Sequence, residues 1–138
     1  MDNICGIDIT GKLAHVLVIK GSKENHEIVT KKPVKIELGD HTNQENIKDF
    51  YQNISDFLKE NSISKVALKS GSTGVYKSGP AVFKMEALIQ LTGMNIDYVK
   101  PQTLSAYWKK CDLDLETLSL KKYQHNAFKV AYFFLNDK

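Results

Sequence analysis

The first twenty positions carry the pattern of extended chain. Ile4-Cys5-Gly6-Ile7-Asp8-Ile9-Thr10-Gly11 runs into an apolar stretch from Leu13 to Ile19, which predicts a β-hairpin whose first, buried strand contains an acid. A third strand is expected over Glu27 to Leu38, where Ile28, Val34, Ile36 and Leu38 alternate in part with Lys31, Lys32 and Lys35. Gly39 to Glu45 reads as a loop. Beyond it Ile47, Phe50, Tyr51, Ile54, Phe57 and Leu58 recur at spacings of three and four, the stripe of an amphipathic helix, with Asn43 or Thr42 as its cap. Asn61 and Ser62 end that helix, and Ile63 to Leu68 is apolar enough to lie inside a sheet.

Lys69 to Pro80 holds glycine, hydroxyl and lysine residues in a composition that predicts a surface loop. Pro80 then opens a helix that is apolar over most of its circumference and stops at Gly93. Ile96 to Val99 is a short strand, Pro101 breaks it, and Thr103 begins a helix bearing Leu104, Tyr107 and Trp108. A last helix is expected from about Leu120 to Leu135. Three antiparallel strands followed by alternating helices and strands make an α/β fold, a mixed sheet with helices on both faces.

Composition narrows the classes. The 138 residues fit one domain, 1–138, and no internal repeat appears. No apolar run approaches the roughly 20 residues of a membrane span, so no membrane partner is expected. The N-terminus lacks a basic stretch followed by an apolar signal segment, and Cys5 and Cys111 show no framework spacing, so a reduced, cytoplasmic setting is expected. A net charge of +3, from 19 basic and 16 acidic side chains, permits contact with DNA or RNA without demanding it.

Three features carry chemistry. Asp8 sits in a buried strand, where a carboxylate is costly unless paired, hydrogen-bonded or bound to a metal ion. In the loop, Gly71, Gly74 and Gly79 allow close backbone approach, Ser70, Ser72, Thr73 and Ser78 offer donors, and Lys69, Lys77 and Lys84 offer charge, a composition suited to a phosphate. It does not match the Walker pattern, so the backbone phosphate of DNA or RNA is the more economical guest. Aromatic residues concentrate in the last third, where Phe128, Tyr132 and Leu135 form a stripe with Phe133 and Phe134 beside it, more apolar surface than one sheet contact covers. Such surplus suggests a homodimer or a protein partner. Trp108 beside Lys109 and Lys110 reads either as a core anchor or as a stacking platform.

The order of elements resembles the ribonuclease H-like fold, and the segments resemble its RuvC-type resolvase branch together with short bacterial relatives. The most specific part is Val66 through Gly93, a strand, a polar loop and a helix led by Gly-Pro-Ala; Lys122-Tyr123-Gln124-His125-Asn126-Ala127-Phe128 supports it. The opening Gly-Ile-Asp is shared with many folds, actin-like ATPases among them. In the resolvase branch two magnesium ions held by several carboxylates hydrolyse phosphodiesters. That resemblance places the first-strand aspartate on Asp8, the glutamate ending the fourth strand on Lys69, and the last-helix acids on Tyr123 and Asn126. Only Asp8 retains its charge, and a lysine near the ion's position weakens metal binding.

Three functions stay open. The first is a catalytically degenerate resolvase-like domain that binds nucleic acid, or serves in a nucleic-acid-handling complex, with Asp8 and Asn126 as vestiges, Lys69, Ser72, Thr73, Lys77 and Lys84 as phosphate contacts, and no cofactor. The second is an active Mg²⁺-dependent nuclease in which Asp8 holds metal and Glu86, flanked by Met85 and Ala87, completes a rearranged acid set. His125 is a further ligand or base on that reading. The third is a protein-interaction module without nucleic-acid contact.

Overall fold

The structure is a computed structural model that describes residues 2–30, 32–69 and 79–137. Two long strands, β1 (Asn3–Thr10) and β2 (Leu13–Gly21), pair antiparallel around a turn at Gly11, whose φ of 58° lies in the left-handed region glycine tolerates. The expected third strand is two short pieces. β3 (His26–Ile28) pairs with one end of β2 and β4 (Val34–Glu37) with the other. Between them the Val29 N–H still donates to the Val18 carbonyl at 2.7 Å, but the Val18 N–H donates to the Thr30 hydroxyl at 3.2 Å. A side-chain oxygen replaces the backbone acceptor there, and Pro33 has no N–H with which to continue the ladder.

Helix α1 (Gln44–Glu60) buries Phe50, Ile54 and Leu58, and Asn43 caps it, its side chain accepting from the Asn46 N–H at 3.1 Å. Asn43→Ala is expected to lower stability by about 1 kcal/mol, read as a lower urea midpoint at unchanged slope. β5 (Ile63–Lys69) runs parallel to β1, and α2 (Pro80–Leu91) leads to β6 (Ile96–Val99), parallel to β5. The sheet order is β3-β2-β1-β5-β6, with β4 also on β2. α3 (Pro101–Lys109) begins two residues before Thr103, because Pro101 suits the first helical position.

The last helix is shorter than expected. Single 3-10 turns at Leu115–Leu118 and Lys122–Gln124 precede α4 (His125–Phe133). Ser119, at φ 57°, breaks the path between those turns.

Alternation along the strands divides the core in two. Cys5, Ile7, Val16, Val18, Val66 and Leu68 face α1 and α2; burial pushes the Cys5 thiol up to about 12, so it stays protonated and inert at neutral pH. Ile4, Leu17, Ile19, Ala67 and Val99 face α3 and α4. Gly6 lets α4 lie directly on β1: a Cβ there would run into the Ala127 carbonyl and come within 2.7 Å of the Ala131 Cβ.

The aromatic surplus of α4 is absorbed internally. Leu113, Leu115, Leu118 and Leu120 pack against the same cluster, and Tyr132, 7% exposed, donates its hydroxyl to the Lys23 carbonyl at 3.2 Å. Trp108 is an anchor of this core, its Nε1 donating to the Lys129 carbonyl at 3.3 Å and its ring 5.5 Å from that of Tyr132. Among the described residues no helix is long and apolar enough to cross a membrane.

Candidate functional site

Asp8 lies near the C-terminal end of β1 and shares the α4-facing side with Gly6. The next strand, β5, ends at Lys69, one position past the Ile7–Leu68 pair, so the two side chains emerge side by side where the parallel strands finish. The Lys69 Nζ stands 3.5 Å from Asp8 Oδ1. Asp8 is 3% exposed and its Oδ1 makes no hydrogen bond among the described residues. At that separation the contact is an ion pair rather than a short charge-assisted hydrogen bond. The ammonium compensates a carboxylate that burial would otherwise penalise.

Across the sheet His15 is the direct antiparallel partner of Asp8, and its ring lies 5.5 Å from that of Tyr123. The buried His15 Nδ1 and His125 Nε2 likewise lack partners among the described residues. The side chains placed at this end of the strands are therefore a lysine, an imidazole and a phenol. Among the described residues no group of three or more His, Cys, Asp or Glu side chains is arranged to hold a metal ion. The sequence outside them, Met1, Lys31, Ser70 to Ser78 and Lys138, contributes no Asp, Glu, His or Cys side chain. The donor set does not fit a magnesium pair, which takes several oxygen anions on one spot, whereas here one carboxylate stands beside an ammonium.

Other expected residues fall in different places. Asn126 is exposed on the first turn of α4 and lines the same pocket as Lys69. Glu86 belongs to α2, which packs on the opposite side of the sheet, and it raises the phenol pKa of Tyr98 there, second to burial. The structure thus does not bring Glu86 to Asp8. Lys84 is tied to His41, its Nζ 2.8 Å from the His41 carbonyl and 3.0 Å from His41 Nδ1, and it does not line the pocket that Lys69 and Asn126 share. Ser72, Thr73 and Lys77 lie outside the described residues.

Beside the Asp8–Lys69 pair opens a pocket of about 380 Å³ between the end of β5, α3 and α4. Its polar wall is Lys69, Ser105, Lys109, Asn126 and Lys129, and among the described residues no carboxylate lines it. Sequence reasoning passed over Ser105 and Lys129. Lys129 follows Asn126 by three positions on one helix and so shares its face, a signal the spacing did contain.

Solved structures support the fold. Thermus thermophilus RuvC superposes with a TM-score of 0.67 at 10% identity, over 94% of this chain and 91% of that one. The same organism's RuvC in complex with a Holliday junction substrate gives 0.64 at 13% identity, over 96% and 91%. Fowlpox virus resolvase in complex with Holliday junction DNA gives 0.52 at 13% identity, over 96% and 95%. The fold is therefore that of the RuvC-type resolvases, a ribonuclease H-like fold. No curated protein matches the chain. A family model described as "Protein of unknown function (DUF3010)" matches residues 2–134, nearly the entire sequence, and the chain belongs to that family.

Proposed function

We propose that this chain is a resolvase-fold protein that binds nucleic acid without cleaving it. The observation that carries the reading is the Lys69 ammonium 3.5 Å from Asp8, at the point where the resolvase chemistry requires a second carboxylate and metal. A lysine there does two things. It neutralises the remaining acid, so the site no longer repels a phosphate, and it leaves the positive wall formed by Lys109 and Lys129 uncancelled. Lys77, Ser72 and Thr73 extend the phosphate contacts on this reading, and DNA is the first partner to test because the neighbouring resolvases were solved on DNA junctions. Self-association would use a face other than α4, the best placed being Phe83 and Leu91 of α2, 38% and 68% exposed.

The test pairs cleavage with binding. Branched DNA, single-stranded DNA and RNA are incubated with the protein in Mg²⁺ and Mn²⁺, and affinity is measured across a range of salt concentrations. No cleavage is expected, with affinity that falls as salt rises, at a log–log slope of about −0.7 per phosphate contact on single strands. Asp8→Asn is expected to keep or raise that affinity, since it frees the Lys69 charge beside the pocket. Metal-dependent cleavage abolished by Asp8→Asn would establish the nuclease instead. Absence of any nucleic-acid affinity would leave the protein-interaction reading.

A further inference from the structure

The pocket beside Lys69 has a more specific chemistry than a track for a nucleic-acid backbone. Lys69 is already paired with Asp8, whereas among the described residues no carboxylate lies within ion-pair distance of Lys109 or Lys129. The wall therefore keeps two uncompensated positive charges. A phosphodiester brings one negative charge, while a phosphomonoester brings about 1.5 to 2 near neutral pH.

One helix start adds to the field. Pro101 and Leu104, in the first turn of α3, and Asn126, in the first turn of α4, all line the pocket. α3 has no side-chain cap on its first turn, so the positive end of its dipole is left for a ligand, whereas α4 continues from the 3-10 turn before it, the His125 N–H donating to the Lys122 carbonyl. Trp108 also lines the pocket, its ring packed against Tyr107, Phe128 and Tyr132 with the Lys129 Nζ 5.9 Å from it. Ser105 and Asn126 supply neutral donors and acceptors. A volume of about 380 Å³ lies at the small end of ligand pockets, room for one nucleotide unit rather than a length of strand.

We infer that this pocket binds a nucleoside phosphomonoester, with Lys109 and Lys129 on the phosphate and the indole of Trp108 against the nucleoside. Its source is either a free nucleotide or the phosphorylated end of a strand. The strand-end form rests on the nucleic-acid reading above, and the pocket itself does not. A protein so equipped recognises ends or processed strands in preference to continuous backbone.

Trp108 is the single tryptophan of the chain, so its emission reports on the pocket directly. Adenosine 5′-monophosphate and adenosine are titrated against that emission. A short single-stranded oligonucleotide is then compared with a 5′-phosphate, a 3′-phosphate or hydroxyls at both ends. The monophosphate is expected to change the emission saturably and to bind at least tenfold more tightly than adenosine. One phosphorylated end is expected to bind at least tenfold more tightly than the hydroxyl strand, and the double variant Lys109→Gln/Lys129→Gln, with an unchanged circular dichroism spectrum, to lose both preferences.

Equal affinity for all three strands, with no response to the monophosphate, overturns the inference while leaving nucleic-acid binding in place. A saturable response to the monophosphate with no affinity for any strand supports the pocket, identifies the free nucleotide as its source, and overturns the nucleic-acid reading instead. Preferences that survive in the double variant would also overturn the assignment, because the phosphate would then lie elsewhere.

Discussion

Gly6→Ala is expected to destabilise the protein by about 3 kcal/mol, lowering its melting temperature by roughly 10 °C. The methyl group would collide with the Ala127 carbonyl, which is backbone inside α4 and has no rotamer to retreat into, and with the Ala131 Cβ at 2.7 Å. Relief requires α4 to lift from β1. That movement would loosen Phe128, Val130 and Ala131, all buried in the same layer. Gly6→Val would prevent folding. Urea denaturation followed by circular dichroism measures the first effect, and a loss below about 1 kcal/mol would mean that α4 does not lie against β1 as described. Since α4 also carries Asn126 and Lys129 to the pocket, the alanine variant is expected to weaken ligand binding even where it remains folded.

Lys69→Glu carries the second large effect, because it changes the sign of the group that compensates Asp8. Two carboxylates would then share the end of β1 and β5, one of them almost fully buried, and removing the partner of a buried charge costs about 3–5 kcal/mol when both are sequestered. Lys69 is 34% exposed on its side chain, so solvent screening makes the loss here smaller. The carboxyl pKa values of such a pair rise above their unfolded values, so the destabilisation is present at neutral pH and recedes as pH falls through the raised values.

The same variant should acquire a property the parent lacks. Two adjacent carboxylates attract a divalent cation, and Mn²⁺ at ten times its dissociation constant would return about 1.4 kcal/mol of stability. Adding Asn126→Asp should strengthen the effect. The check is thermal denaturation with and without Mn²⁺ in parent and variant. A metal-dependent stabilisation of equal size in the parent would show that Lys69 does not exclude the ion, and the non-hydrolytic reading would fall with it.

Much of this architecture is legible in the chain because its signals are local. The hairpin follows from alternation and Gly11, α1 from its stripe and Asn43, and the start of α2 from Pro80. The division of Glu27 to Leu38 into two strands is less legible: the partner that replaces the ladder there is the Thr30 hydroxyl, and β propensity does not encode such a substitution. The overlong final helix has a similar cause. Its expected start at about Leu120 is lost because Lys121 is extended, its N–H donating to the Gln124 side chain at 2.7 Å, and Lys122–Gln124 closes as a 3-10 turn.

Burial of the α4 aromatics depends on segments far away in sequence, so their excess reads as an interface when it is internal packing. The ion pair between Asp8 and Lys69 lies at the other extreme. Once the two strands are parallel and their ends aligned, an acid on one and a lysine on the next must meet, and both residues were already conspicuous. Glu86 attracted interest for its apolar neighbours, yet which side of a sheet a helix packs on cannot be read from the helix alone.

The contact between Gly6 and α4 joins the beginning of the chain to its end, and this sets the order of assembly. The β1–β2 hairpin can close early, its strands being adjacent, but the side bearing Leu17, Ile19 and Ala67 is not fully covered until the residues of α3 and α4 arrive. The entropy of closing that long loop is spent before any of its apolar burial is returned. During synthesis the sheet therefore passes through a stage with one finished face and one bare apolar face. Apolar surface left bare at such a stage is what makes a folding intermediate prone to aggregate.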